Sequence, residues 1–183
     1  MLKKYFFVVI LLILIGSMSF LLKGKTITEP EMINVIHYLN SVDAKLIPLD
    51  RQTVSFVSKA KAFGMLGLKS SYKIEGDKST FRLKNDLNHE FIVQVPMGID
   101  PSGIKLFQFG IKKGNRILLA NDVSGFAKVT NGPGPIQVNV TKYGQSSYKI
   151  SPVNKLGDGE YAFILGMGAP ASDAFCFGIE PVE

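Results

Sequence analysis

The sequence predicts an all-β chain, an antiparallel β-sandwich carried behind an N-terminal hydrophobic segment. Three observations predict it. From residue 33 onward, short runs rich in β-branched and aromatic residues recur between Gly, Pro, Asn and Asp. No stretch carries a convincing 3.6-residue apolar period. The chain opens on two lysines and a continuous apolar run.

That opening sets location. Lys3 and Lys4 precede Tyr5 to Ile15, which is apolar throughout, and Gly16-Ser17-Met18-Ser19 follows. A basic start, a short apolar core and small residues two apart make a secretory signal cut after Ser19. An uncleaved anchor stays open. Residues 5–22 form an eighteen-residue stretch, the lower limit for spanning a hydrocarbon layer of ~30 Å. Lys23 and Lys25 flank its far end, so charge asymmetry does not decide. No cysteine near Gly16 offers a lipid attachment site. Residues 1–25 are therefore expected to be a signal peptide or membrane anchor, and residues 26–183 one exported domain. The expected location is periplasmic, extracellular or anchored to the outer face of the inner membrane. Removing 19 residues from 183 leaves 164 (183 − 19), enough to bury roughly 70% of the unfolded surface without disulfides or metals.

The strands follow in order. Ile33 to Leu39 is the first. Leu46 to Leu49 contains Pro48 and reads as an edge. Thr53 to Val57 alternates Val54 and Phe56 with Thr53 and Ser55. Ser71 to Ile74 and Ser79 to Leu83 flank Gly76-Asp77 and predict a hairpin. Glu90 to Val95 sets Phe91, Val93 and Val95 on one face. Lys105 to Ile111 and Ile117 to Ala120 form the clearest hairpin, with Lys112 to Arg116 as the turn and Gly114 supplying its positive φ. Ile136 to Thr141 alternates Ile136, Val138 and Val140 with polar residues. Ser147 to Ile150, Tyr161 to Leu165 and Phe175 to Ile179 bring the expectation to about ten strands. Val57 to Gly67 could be helical, but Gly64 and Gly67 weaken that by ~1 kcal/mol each. Ser124 to Pro135, with three glycines and two prolines, is expected to be a long exposed loop. Leu156-Gly157-Asp158-Gly159-Glu160-Tyr161 resembles the tyrosine corner of immunoglobulin-like sandwiches, in which a Tyr hydroxyl bonds back to the turn before it. Leu156 and Tyr161 are thus expected to be structural and the sandwich to be immunoglobulin-like; Cys176 is expected to be structural too, as a small buried side chain.

Chemistry-bearing motifs are weak. Cys176 is the only cysteine and lies among apolar neighbours, so a small buried side chain outweighs a nucleophile. Gly166-Met167-Gly168-Ala169-Pro170-Ala171 has dinucleotide-loop spacing but no helix to follow it. Ser58-Lys59-Ala60-Lys61 has the spacing of a Ser-Lys pair but no partner motifs. His37 and His89, the only histidines, are isolated, and zinc sites need three or four ligands. The scattered aspartates read as turn residues. Asn139-Val140-Thr141 is a glycosylation sequence by letter, placed on a strand. No catalytic, cofactor or metal site is expected. The net charge of +6 is spread without a dense cluster, which argues against nucleic acid and leaves a weak attraction to anionic envelope surfaces open.

Several stretches together resemble a family of exported bacterial proteins of uncharacterised activity. The carrying residues are Val35-Ile36-His37-Tyr38-Leu39, Leu46-Ile47-Pro48-Leu49-Asp50-Arg51-Gln52, Lys59-Ala60-Lys61, Phe91-Ile92-Val93, Asp100-Pro101-Ser102, Leu106-Phe107, Lys112-Lys113-Gly114-Asn115-Arg116 and Lys142-Tyr143-Gly144. Gly159-Glu160-Tyr161-Ala162-Phe163 and Phe175-Cys176-Phe177-Gly178-Ile179 form the closing signature. The chain departs from the pattern at Asp158-Gly159, where Pro-Gly is usual, and at Glu180, where Asp is commoner. The resemblance covers most of residues 33 to 180. It implies export and a compact domain, and brings no activity or catalytic residues.

The function expected is a non-enzymatic binding or assembly module of the bacterial envelope, its partner another envelope or surface protein. An edge strand or the loops at Lys112, Lys113 and Arg116 and around Lys128 would make the contact. The alternatives are a hydrolase using Cys176 or a serine with His37 or His89, and a small barrel holding a lipid.

Overall fold

A computed structural model describes residues 27–61, 67–85, 88–124, 128–166 and 171–182. The expected signal or anchor lies outside these residues. Among the described residues thirteen strands follow one another: β1 Ile36–Leu39, β2 Leu46–Pro48, β3 Asp50–Ala60, β4 Gly67–Glu75, β5 Arg82–Lys84, β6 Phe91–Gln94, β7 Lys105–Lys112, β8 Asn115–Ser124, β9 Lys128–Asn131, β10 Val138–Lys142, β11 Ser147–Pro152, β12 Gly159–Ile164 and β13 Ala171–Glu180. The chain is all-β, as the sequence predicts.

Two sheets hold these strands. The smaller is antiparallel, in the order β10-β11-β6-β1-β2, with the Pro48 strand at its edge. In the larger, pairing passes from β12 through β7, β8, β4 and β3 to β13, and β13 pairs with β12 again. The path closes, so six antiparallel strands form a ring with no free edge between them. β5 is added parallel to β13, and β9 antiparallel to β8.

Alternation along these strands produces two cores. Inside the ring lie Val54, Ile74, Phe107, Phe109, Leu118, Ala162, Ile164, Ala174 and Cys176, drawn from all six strands. The opposite faces of β12 and β13 carry Tyr161, Phe163, Phe175, Phe177 and Ile179. These meet Ile36, Phe91, Val93 and Ile150 of the smaller sheet. The rings of Phe91 and Phe163, and of Phe91 and Phe177, lie 4.9 Å apart. Each such buried side chain contributes roughly 1.5–3 kcal/mol. Burial on both faces explains why β12 and β13 read as unbroken apolar runs.

The expected placement of Phe91, Val93 and Val95 on one face holds, as does that of Ile136, Val138 and Val140. Other expectations need correction. The hairpin across Gly76-Asp77 does not form. Both edges of β4 are taken by β3 and β8, so β5 crosses to the edge of β13 instead. The β7–β8 turn is tighter than expected. Lys112 pairs with Asn115, and Lys113 and Gly114 sit at φ 52 and 70, the positive angles of a two-residue hairpin turn. Asn115 and Arg116 therefore belong to β8. The Ser124 to Pro135 loop contains β9, which completes the edge of β8 where β8 runs past the ring; residues 125–127 lie outside the described residues. Residues 57–60 of the possible helix continue β3, and residues 62–66 lie outside the described residues.

The link from β11 in the smaller sheet to β12 in the ring runs through Leu156 and Gly157. Leu156 is buried, and the Tyr161 hydroxyl donates to the Gly157 carbonyl at 2.9 Å. The tyrosine pins the point where the chain changes sheets. Burial, then the charge of Asp158, raises its pKa against that hydrogen bond.

Candidate functional site: a lysine-rimmed groove

The outer wall of the ring carries the site. On β3, Val57 and Lys59 face outward while Val54 faces inward. On β4, Lys69, Ser71 and Lys73 alternate with the inward Tyr72 and Ile74. On β8, Ile117 and Leu119 flank the buried Leu118. Register then assembles rows across the wall. Val57 lies beside Ser71, and Ser71 beside Leu119. Lys73 lies beside Ile117, and Ile117 beside Gly110. Lys59 lies directly opposite Lys69.

The end of the β7–β8 hairpin adds Ile111, Lys112, Lys113 and Asn115. Together these residues line a groove of about 650 Å³. Its floor is Val57, Ile117 and Leu119 with Ile111 at one end, and five lysines stand around it: Lys59, Lys69, Lys73, Lys112 and Lys113. Two carboxylates reach this rim. Glu75 pairs with Lys73 at 2.6 Å, and Asp122 lies 3.8 Å from Lys69. Asp122 is held mainly by Lys61, whose hydrogen bond and charge lower its pKa. Among the described residues, Lys59, Lys112 and Lys113 form no ion pair. Like charges directly opposite on adjacent strands destabilise the pair, so this wall spends stability on its charge.

Of the residues singled out in the sequence, Lys112 and Lys113 line the groove. Lys128 does not; it is exposed on β9, beside Ser124. Arg116 cannot serve as a contact residue. It is 1% exposed because it belongs to β8 and turns into the end of the ring. There it donates to the side-chain oxygen of Gln52 and to the carbonyls of Gly76 and Glu75 at 3.2 and 3.0 Å. The sequence shows Lys69 and Lys73 only as members of a diffuse basic surface, and Lys59 in a Ser-Lys spacing and a family resemblance that bring no site. Lys69 and Lys73 lie two strand repeats apart and so share a face; the register of β3 on β4 makes Lys59 their neighbour.

Beside Arg116 lies the reason for the closing signature. Glu160 of β12 is 6% exposed, accepts from the Ser79 backbone N–H at 2.8 Å and binds the Arg82 guanidinium. Arg82 also donates to Glu180 at 2.8 Å. Its burial opposes the charge, but the two carboxylates together outweigh that and raise its pKa. The guanidinium crosses Gly178, which pairs with Glu160, and occupies the space a Cβ there would need. Gly159-Glu160-Tyr161 and Phe177-Gly178-Ile179 are thus structural in this chain.

Cys176 has no nucleophilic setting. It is 0% exposed inside the ring, and burial pushes its pKa up to about 12. The charges around it are those of Arg116, Asp50 and Glu160, with no histidine among them. His37, with its Nδ1 3.1 Å from the Val35 carbonyl, lies on the smaller sheet, and burial lowers its pKa. His89 packs edge-on against Tyr38, at 5.9 Å. Ser58 and Lys61 sit near the end of β3, where Ser58 Oγ bonds Ser70 Oγ at 2.9 Å and Lys61 bonds Asp122. Of the Gly166 stretch, residues 167–170 lie outside the described residues; Ala171 opens strand β13, antiparallel to β12, where a dinucleotide loop would need a helix. Among the described residues no three His, Cys, Asp or Glu side chains are grouped to hold a metal ion.

No family model, curated protein or solved structure matches the chain.

Proposed function

We propose that this protein is a non-enzymatic binding module of the bacterial cell envelope, exported by its first 25 residues, and that the lysine-rimmed groove is its contact site. One observation carries this reading: an apolar floor is ringed by cations, two of them directly opposed and three with no ion-pair partner among the described residues. A protein selected for stability alone gains nothing from that arrangement. A protein selected to hold an anionic partner gains a preformed site with steering charge. Export is supported by the basic-then-apolar opening and by the resemblance to exported bacterial proteins. The tyrosine corner at Tyr161 supports an immunoglobulin-like kinship for the sandwich, to which the closed ring of six strands adds a feature of its own.

The test uses the full chain in its cell. A photo-crosslinking residue is placed at Lys112, and a control at the exposed Lys155, far along the chain on a different link. Illumination is expected to give an adduct with an envelope component from position 112 and none from position 155. No adduct at 112, or equal adducts at both, overturns the reading.

A further inference from the structure

We infer that the occupant of the groove is a single-chain anionic amphiphile, a molecule with one acyl chain and a negatively charged head. The inference rests on the proposed binding function and names its ligand class. Three features of the wall select that chemistry.

The site is concave and about 650 Å³, within the range of roughly 300–1,000 Å³ that encloses one small ligand. A bilayer surface is met by a protruding apolar or basic patch and needs no enclosure. The floor is apolar: Val57, Ile117 and Leu119 are half-buried, and Ile111 is 53% exposed at the hairpin end. A polyanion or a small free anion would be served by the lysines alone and would leave those side chains wet. An acyl chain laid along them removes apolar surface from water at roughly 25 cal/mol per Å².

The rim is cationic on opposite sides. Lys59 and Lys69 face each other across β3 and β4, and Lys112 and Lys113 stand on the β7–β8 turn. An anionic head relieves the repulsion between Lys59 and Lys69, and the lysine stems extend the apolar lining while their ammonium groups stay in water. Head and chain are therefore recognised by different residues, and the two contributions separate experimentally.

The experiment is methyl NMR of the full chain in detergent-free buffer, with sodium laurate as the probe and Val57, Ile117 and Leu119 as reporters. Dodecanol, acetate and phosphatidylglycerol vesicles are run beside it. Laurate is expected to shift all three reporters saturably. Dodecanol is expected to bind about tenfold or more weakly, because it lacks the charge, and acetate to leave the methyls unmoved. K59Q/K69Q is expected to weaken laurate about tenfold or more while the spectrum elsewhere stays native. Leu119→Asp is expected to remove the methyl response and leave any response to vesicles unchanged.

Acetate shifting the reporters as strongly as laurate overturns the proposal in favour of a plain anion site. Vesicles shifting them where laurate does not overturns it in favour of a membrane-facing surface. Laurate binding unchanged in both variants also overturns it, since the N-terminal segment would then be the site of binding. In each case a crosslink at position 112 still stands, so the loss of the ligand class is distinguishable from the loss of the binding function.

Discussion

Two basic regions of this molecule differ in how their charge is answered. At the end of the ring, Arg82 and Arg116 are wired to fixed acceptors. Arg82 meets Glu160 and Glu180, and Arg116 meets Gln52, Gly76 and Glu75. On the outer wall, five lysines share two carboxylates, and Lys59 faces Lys69. Arg116 is buried and Arg82 half-buried; charge taken out of water without partners costs up to several kcal/mol, so these acceptors hold the fold together. Exposed charge is hydrated and costs little, so the lysines remain available to something outside. The difference separates charge that builds the fold from charge that can serve it.

The comparison breaks most visibly at Glu160. Glu160→Ala leaves Arg82 and the Ser79 N–H facing an apolar side chain, and should destabilise by about 3 kcal/mol in urea unfolding. A loss under 1 kcal/mol would mean that solvent already serves Arg82. Gly178→Ala comes next. A methyl group there meets the Arg82 guanidinium, and overpacking should cost about 1–3 kcal/mol, read as a lowered melting temperature. An unchanged midpoint would show that Arg82 moves aside freely.

Acid provides a smaller test. Burial lowers the pKa of His37, so the unfolded chain takes up its proton first. Stability is full above the ordinary value of 6.5 and declines as the pH falls from there toward the lower folded value. Bonds from Ser147 and the Gln145 N–H lower the pKa of Glu29, and its contribution is lost at still lower pH, below 4.5. His37→Gln should flatten the decline that begins as the pH falls through 6.5; an identical slope would remove His37 as its cause. The smallest effect belongs to the wall. Lys59→Gln should leave stability within about 0.5 kcal/mol or raise it slightly, since it removes a like-charge pair. A clear loss would show that Lys59 supports the fold, and the contrast with the arginines would fail.

Much of this was legible in the residues, for reasons that can be named. Phe91, Val93 and Val95, and likewise Ile136, Val138 and Val140, show their common face because side chains alternate along a strand. Gly114 showed its turn because few other residues take that angle. Tyr161 showed its bond because the partner, Gly157, is four residues away. The failures are non-local. Gly76-Asp77 had the chemistry of a hairpin turn, but no local signal states that both edges of β4 are taken. Arg116 looked like a turn residue because two of the five residues expected in the turn belong to β8, and one residue of register exchanges the inside for the outside. Lys59, Lys69 and Lys73 looked dispersed because up to fourteen positions separate them in the chain, while pairing sets Lys59 and Lys69 side by side.

By itself, then, the sequence determined that the chain is all-β, which residues share a face in strands such as β6 and β10, and that a tight turn falls at Gly114. These follow from alternation and backbone angle, which act over a few residues. Only the tertiary structure decided that six strands close into a ring, that Arg116 turns inward, and that five distant lysines surround one apolar floor. Those outcomes depend on which strand edges are free to pair and in what register, and that is settled between segments far apart in the chain.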